Sequence, residues 1–288
     1  MMLGMMLFQT CAICLPANTT VVQAAVFDGG DGTATNPYQI ATLEQLSSIT
    51  LGTSGAGIYY VLTADITTNA THKTPLLNGE FQGNLDGNGH KLTVYQPLFK
   101  TTSSSSVIRN TEFAITLTGA ASSIGYLLNN TTFIGGIACL GYGLLDNCYG
   151  SAQVNIDGTG CLLTSIGGLY GYGNTLTMRN CRFTNSSIYV KSTNSKNGTR
   201  VGGLMGGFEK STFDNTIFIG NVYGYGASGQ PLCIGIVAGY LYVGSVTIKN
   251  SYFYNSYPSA STGSVQWGCF GGAINYYANT FSLQNSYF

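Results

Sequence analysis

Residues 86–91, DGNGHK, bring a carboxylate, an imidazole and an ammonium into one short stretch, the ingredients of acid/base catalysis. In an extended chain Asp86 and His90 project from one face and Lys91 from the other. No second carboxylate stands nearby in sequence to complete an acid/base pair, so the stretch reads as a Gly-Asn-Gly turn entering a strand. Asp28 and Asp31 in FDGGDG could face a calcium ion, but the stretch has neither the EF-hand spacing nor a tandem nonapeptide pattern. The zinc-peptidase pattern H-E-x-x-H is absent, and His72 and His90 are the only histidines. No catalytic site, metal or cofactor is therefore expected.

Cysteine offers a second chemistry. Of eight cysteines, Cys11 and Cys14 fall in an apolar leader, and Cys139, Cys148, Cys161, Cys181, Cys233 and Cys269 remain without C-x-x-C spacing among them. Disulfides and stacked free thiols are both open readings. Asn69, Asn129, Asn130, Asn185 and Asn197 begin N-x-S/T sequons, which an Asn-Ser-Thr-rich chain also produces by chance.

Composition points to strands and turns. The 288 residues are 44% hydrophobic but only 8% charged, with 40 Gly and 20 Tyr, a profile far from helical bundles and from disordered chains. Eleven basic and eleven acidic residues leave no positive excess for phosphates, which excludes nucleic acid as an expected partner. MMLGMMLFQTCAICL is too short to span a bilayer and is followed by Val22-Gln23-Ala24, a small-residue cleavage pattern. Residues 1–25 thus read as a signal peptide, although no Lys or Arg precedes the apolar run. No later run is long enough to span a membrane, so the mature chain is expected to be secreted or held at the cell surface.

The positioning elements come from a repeat. MRNCRF, FDNTIF, IKNSYF and LQNSYF place Asn180, Asn215, Asn250 and Asn285 at intervals of 35, each followed three residues later by Phe183, Phe218, Phe253 or Phe288. Looser copies put Asn110 and Asn147 in the same role, and another in LNNTTF would do so for Asn130. A second phrase, IGGLYGY, VGGLMGG, IGIVAGY and FGGAINY, precedes each of the four strict copies. Apolar residues alternate before each Asn, which marks strands with one buried face. A fixed period of this length, built of short strands, predicts an all-β, right-handed parallel β-helix in which coils stack and the Asn and Phe residues form ladders. A buried Asn ladder at the coil corners is expected, with the Asn backbone left-handed. Thr42-Leu43-Glu44-Gln45 is a capping box opening a short helix, read as the N-terminal cap within 26–57, with the β-helix filling 58–288.

The N-terminal stretch GGDGTATNPYQIATLEQL, followed by YYVLTADI, FQGNLDGNGHKLT, PLF and the IGGLYGY…NCRF units, resembles exported β-helix proteins with GLUG-type repeats, found in bacterial surface proteins and in regions flanking immunoglobulin A peptidases. The resemblance implies a right-handed parallel β-helix displayed outside the cell as a stalk or adhesive segment; it does not imply an activity. The expected function is a non-catalytic scaffold presenting a face to surface glycans or to host or neighbour-cell proteins. A divergent carbohydrate-active lyase or hydrolase is the alternative. An ice-binding solenoid, suggested by Thr116-Leu117-Thr118 and Thr175-Leu176-Thr177, is a minor one. The phrase breaks off at Ser286-Tyr287-Phe288, which suggests end-to-end self-association through 270–288 or a longer protein.

Overall fold

The structure, a computed structural model, describes residues 26–69, 74–192, 198–226, 231–242, 244–255, 259–261, 264–268, 271–274 and 280–288. The leader 1–25, Asn197 and Cys269 lie outside them. Three sheets wind around one core as a parallel β-solenoid, the architecture expected from the period. One coil shows the plan. Tyr170–Arg179 lies in the first sheet, Arg182–Ser192 in the second and Thr199–Gly202 in the third, and the chain then re-enters the first sheet at Met205–Glu209. Each strand pairs in parallel with its counterpart one coil away. The third sheet begins differently: Tyr126–Leu128 runs antiparallel to Thr131–Ile134.

The inward columns carry the apolar repeat. On the first sheet Leu85, Ile108, Leu145, Met178, Phe213 and Ile248 lie in register, and all are buried. On the second, Phe183, Phe218 and Phe253 are in register and fully buried. Phe288 stacks on Phe253 at 5.5 Å but is 42% exposed, so the Phe ladder is buried at three of its four expected members. Phe281 and Leu283 are likewise exposed, whereas their partners Val246 and Ile248 are buried.

Between the first and second sheets the corner is chemically explicit. Asn110, Asn147, Asn180, Asn215, Asn250 and Asn285 all have φ between 46° and 55°. This left-handed conformation costs most side chains about 1–2 kcal/mol, and Asn tolerates it. The next residue is Thr111, Cys148, Cys181, Thr216, Ser251 or Ser286, and each donates its hydroxyl or thiol to the carbonyl two residues back. Cys148 and Cys181 therefore act as Ser/Thr substitutes at a corner. They are free and buried, and burial pushes the Cys181 thiol up to about 12 and Cys148 well above its ordinary value.

The Asn side chains do not form the buried, continuous ladder expected. Asn110 is half-buried and the other five are exposed. Asn147 donates to Asn110 (2.8 Å), Asn215 to Asn180 (3.0 Å) and Asn285 to Asn250 (3.4 Å). In the intervening coils Asn110 donates instead to Asp86 (2.9 Å), Asn180 to Asp146 (3.1 Å) and Asn250 to Asp214 (3.3 Å). The cause is a charged row one residue before the corner. Asp86, Arg109, Asp146, Arg179, Asp214 and Lys249 stand in register and alternate in sign. They pair as Arg109–Asp86 (2.9 Å), Arg179–Asp146 (2.6 Å) and Lys249–Asp214 (3.1 Å). Hydrogen bonding from Arg179 holds the Asp146 carboxyl below the usual carboxylate range.

This geometry assigns the corner Asn a backbone role first. Asn215→Ala is expected to lower stability by about 1–2 kcal/mol, whereas Asn215→Gly, which keeps the left-handed backbone, should cost only a few tenths of that. Denaturant midpoints that fall equally for both variants would show that the side-chain bond to Asn180 matters more than the backbone.

Between the third and first sheets the glycine phrase has a steric origin. A Cβ on Gly167 would lie 2.4 Å from the Met205 Cα, and one on Gly202 would lie 1.8 Å from the Met205 carbonyl oxygen. Opposite them, a Cβ on Gly206 or Gly239 would meet the Ile166 or Val201 backbone nitrogen at 2.2 and 2.3 Å. Backbone packs on backbone here, so the phrase must keep glycine on both sides.

Asn130 is not a corner residue. Asn129 and Asn130, with φ of 49° and 63°, are the two turn residues of the Tyr126–Leu128 and Thr131–Ile134 hairpin, a pattern suited to a type I′ turn, and both are exposed. At the N-terminal end the helix Leu43–Ser47 carries the expected capping box. Gln45 N donates to Thr42 Oγ1 (3.2 Å), Thr42 N donates to Gln45 Oε1 (3.1 Å), and Leu46 is buried in the main core.

Candidate functional site

The acid/base groups of DGNGHK are separated by their partners. Asp86 is held by Arg109 and Asn110, His90 Nδ1 lies 3.3 Å from Asp65, and Lys91 Nζ lies 2.7 Å from Glu112. Asn88 (φ 51°) and Gly89 (φ 82°) make the turn between them. Asp28 accepts from Gln45 Nε2 (2.6 Å), and Asp31 accepts from Thr33 N and Oγ1 (3.0 and 2.7 Å). Among the described residues no group of three His, Cys, Asp or Glu side chains is placed to hold a metal. The two Thr-Leu-Thr motifs lie on different sheets, with Thr116 beside Gln153 on the second and Thr177 beside Leu144 and Thr212 on the first, so they do not add up to one array.

Two other surfaces gather chemistry. On the outer face of the second sheet, alternation sends every second residue to solvent, and register stacks those residues into rows. One row reads Thr118, Asn155, Tyr189 and Tyr223. The neighbouring row reads Thr116, Gln153, Ser187 and Asn221. Tyr189 and Tyr223 stack with ring centroids 5.1 Å apart and planes 8° from parallel. Asn221 Oδ1 is shielded and has no hydrogen-bond partner among the described residues. The result is an aromatic step bordered by amides and hydroxyls.

The second surface lies where the third and first sheets face each other beyond the glycine bend. Phe133, Ser165, Arg200 and Cys233 form a row on the third sheet. Facing them are Tyr172 and Tyr240 of the first sheet and Tyr242 just past its strand: Phe133 meets Tyr172 edge-on (6.0 Å), and the Arg200 guanidinium lies 4.3 and 4.8 Å from the Tyr240 and Tyr242 ring centroids. Arg200 Nη1 donates to the Tyr242 hydroxyl, and Tyr172 donates its hydroxyl to Glu209. Burial, together with Glu209, pushes the Tyr172 hydroxyl far up, so it remains a donor.

With this geometry in view, the chain can be set beside known proteins. It is similar in fold to a crystal structure from Bacteroides ovatus provisionally named an immunoglobulin A1 protease, with a TM-score of 0.65 and 20% identity, covering 91% of this chain and 78% of the other. At that identity the likeness establishes the β-solenoid fold. No protein-family model matches, and no curated protein sequence matches. Among the described residues no helix is long and apolar enough to cross a membrane.

Of the residues singled out in the sequence, the corner Asn and the core Phe side chains position the surfaces and do not line them. Tyr189, Tyr223, Arg200, Tyr240 and Tyr242 carry the surface chemistry. Their signal in the sequence was weak. Tyr189 and Tyr223 are 34 residues apart, out of step with the 35-residue phrase, because a bulge between Phe183 and Ser186 shifts the register.

Proposed function

We propose that this chain is a non-catalytic, exported or cell-surface, adhesin-like β-solenoid that binds glycan on the outer face of its second sheet. The Tyr189–Tyr223 stack is the observation that supports this most, since parallel aromatic rings offer an apolar platform to the face of a sugar ring. Asn155, Gln153 and Ser187 supply hydrogen-bond groups for sugar hydroxyls within the same two rows. A carbohydrate-active reading would need converging carboxylates, and Asp86, Asp146 and Asp214 are each engaged by a neighbouring cation.

The experiment is a glycan array probed with the folded chain and with a Tyr189→Ala/Tyr223→Ala double variant. Loss of two platforms worth about 0.5–1.5 kcal/mol each is expected to weaken the leading signal at least several-fold, with the melting temperature nearly unchanged because both rings lie at the surface. A signal that survives the double variant at full strength would place the glycan elsewhere and reject this face.

A further inference from the structure

Arg200 is half-buried, yet no carboxylate lies within ion-pair distance of it among the described residues. Arg109 and Arg179 are more exposed, and each has one. A cation withdrawn from water is normally matched by an opposite charge, and the faces of Tyr240 and Tyr242 replace only part of that interaction. Glu209, at the other end of this aromatic cluster, is engaged by the Tyr172 hydroxyl and by Asn174 Nδ2 (3.4 Å). With its central carbon over two rings and one donor given to Tyr242, the guanidinium has further N–H groups, and its planar fork matches a two-oxygen anion.

The neighbours narrow the anion. The cluster holds a single guanidinium, a carboxylate beyond Tyr172 that would repel a second negative charge, and tyrosine rings and hydroxyls suited to a sugar. We propose that Arg200, Tyr240 and Tyr242 form a subsite for one carboxylate-bearing sugar of the uronate class. The carboxylate lies on the guanidinium edge and the sugar ring lies beside the tyrosines. This site joins the third and first sheets, whereas the Tyr189–Tyr223 platform lies on the second, and it does not depend on glycan binding there.

Ligand-observed NMR on the full chain tests it with D-glucuronate, D-glucose, acetate and a tripeptide containing glutamate. Glucuronate is expected to bind at least about tenfold more tightly than the other three. Arg200→Met should remove that preference, Arg200→Lys should retain only part of it because the fork is lost, and Tyr189→Ala/Tyr223→Ala should leave it intact. Should Arg200→Met fail to fold, Arg200→Lys and Tyr242→Phe carry the test, and both are expected to weaken glucuronate. Glucuronate affinity unchanged in the folded Arg200 variants would overturn the proposal. Acetate or the tripeptide binding as tightly as glucuronate would overturn it as well, the first marking a nonspecific anion contact and the second a peptide site.

Discussion

Alanine in place of Gly202 is expected to destabilise the protein by about 3 kcal/mol, the upper end of what overpacking usually costs, or to prevent folding. The added methyl would overlap the Met205 carbonyl oxygen at 1.8 Å and crowd the Ala238 Cα at 2.5 Å. Both contacts are backbone, so no rotamer change relieves them. The third and first sheets would have to separate, and the hydrogen bonds joining Thr199–Gly202 to Pro231–Gly235 would be strained with them. Gly29→Ala provides the control: its nearest contact is the flexible end of Gln39 at 3.3 Å, which can move aside. Urea midpoints measured side by side decide the matter. Equal midpoints for Gly202→Ala and Gly29→Ala would mean that the bend is looser than its backbone contacts indicate.

The second large effect is expected at Phe218. Its side chain is fully buried between Phe183 and Phe253 in the second-sheet column, and truncation to alanine should cost about 3–5 kcal/mol through lost burial and the cavity left behind. Phe288→Ala removes the same atoms from a side chain that is 42% exposed and should cost about 1 kcal/mol. The contrast is the useful quantity, because both residues occupy the same place in the repeat. Similar losses at the two positions would indicate that Phe288 is covered in solution.

Fold class was legible because its causes are local and recur. Alternating apolar residues, an Asn that accepts a left-handed backbone, and glycines that permit backbone contact are each visible in a single coil, and the 35-residue spacing of Asn180 to Asn285 multiplies the signal. What stayed hidden depends on contacts between coils. Whether an Asn amide meets another Asn or an Asp is decided by the residue before the corner one coil away, which stands in the neighbouring copy of the phrase and acts only once the coils are in register. The Asn129–Asn130 hairpin mimics the corner phrase while doing different work, since two consecutive left-handed residues close a hairpin where one would turn a coil. The Tyr189–Tyr223 platform escaped the period because one bulged strand changes the count, and the Arg200 cluster joins residues from two coils and two sheets.

The alternating charge row also constrains how such a chain can grow or shrink. Excising residues 147–179, a single coil, would bring Asp146 beside Asp214 and leave two like charges facing each other. Excising 147–214 would instead bring Asp146 beside Lys249 and restore an attractive neighbour. Corner Asn bonding obeys the same parity, since acceptors alternate between Asn and Asp. The smallest segment that can be duplicated or lost without electrostatic conflict is therefore a pair of coils, so length variants of this solenoid should differ by even numbers of turns.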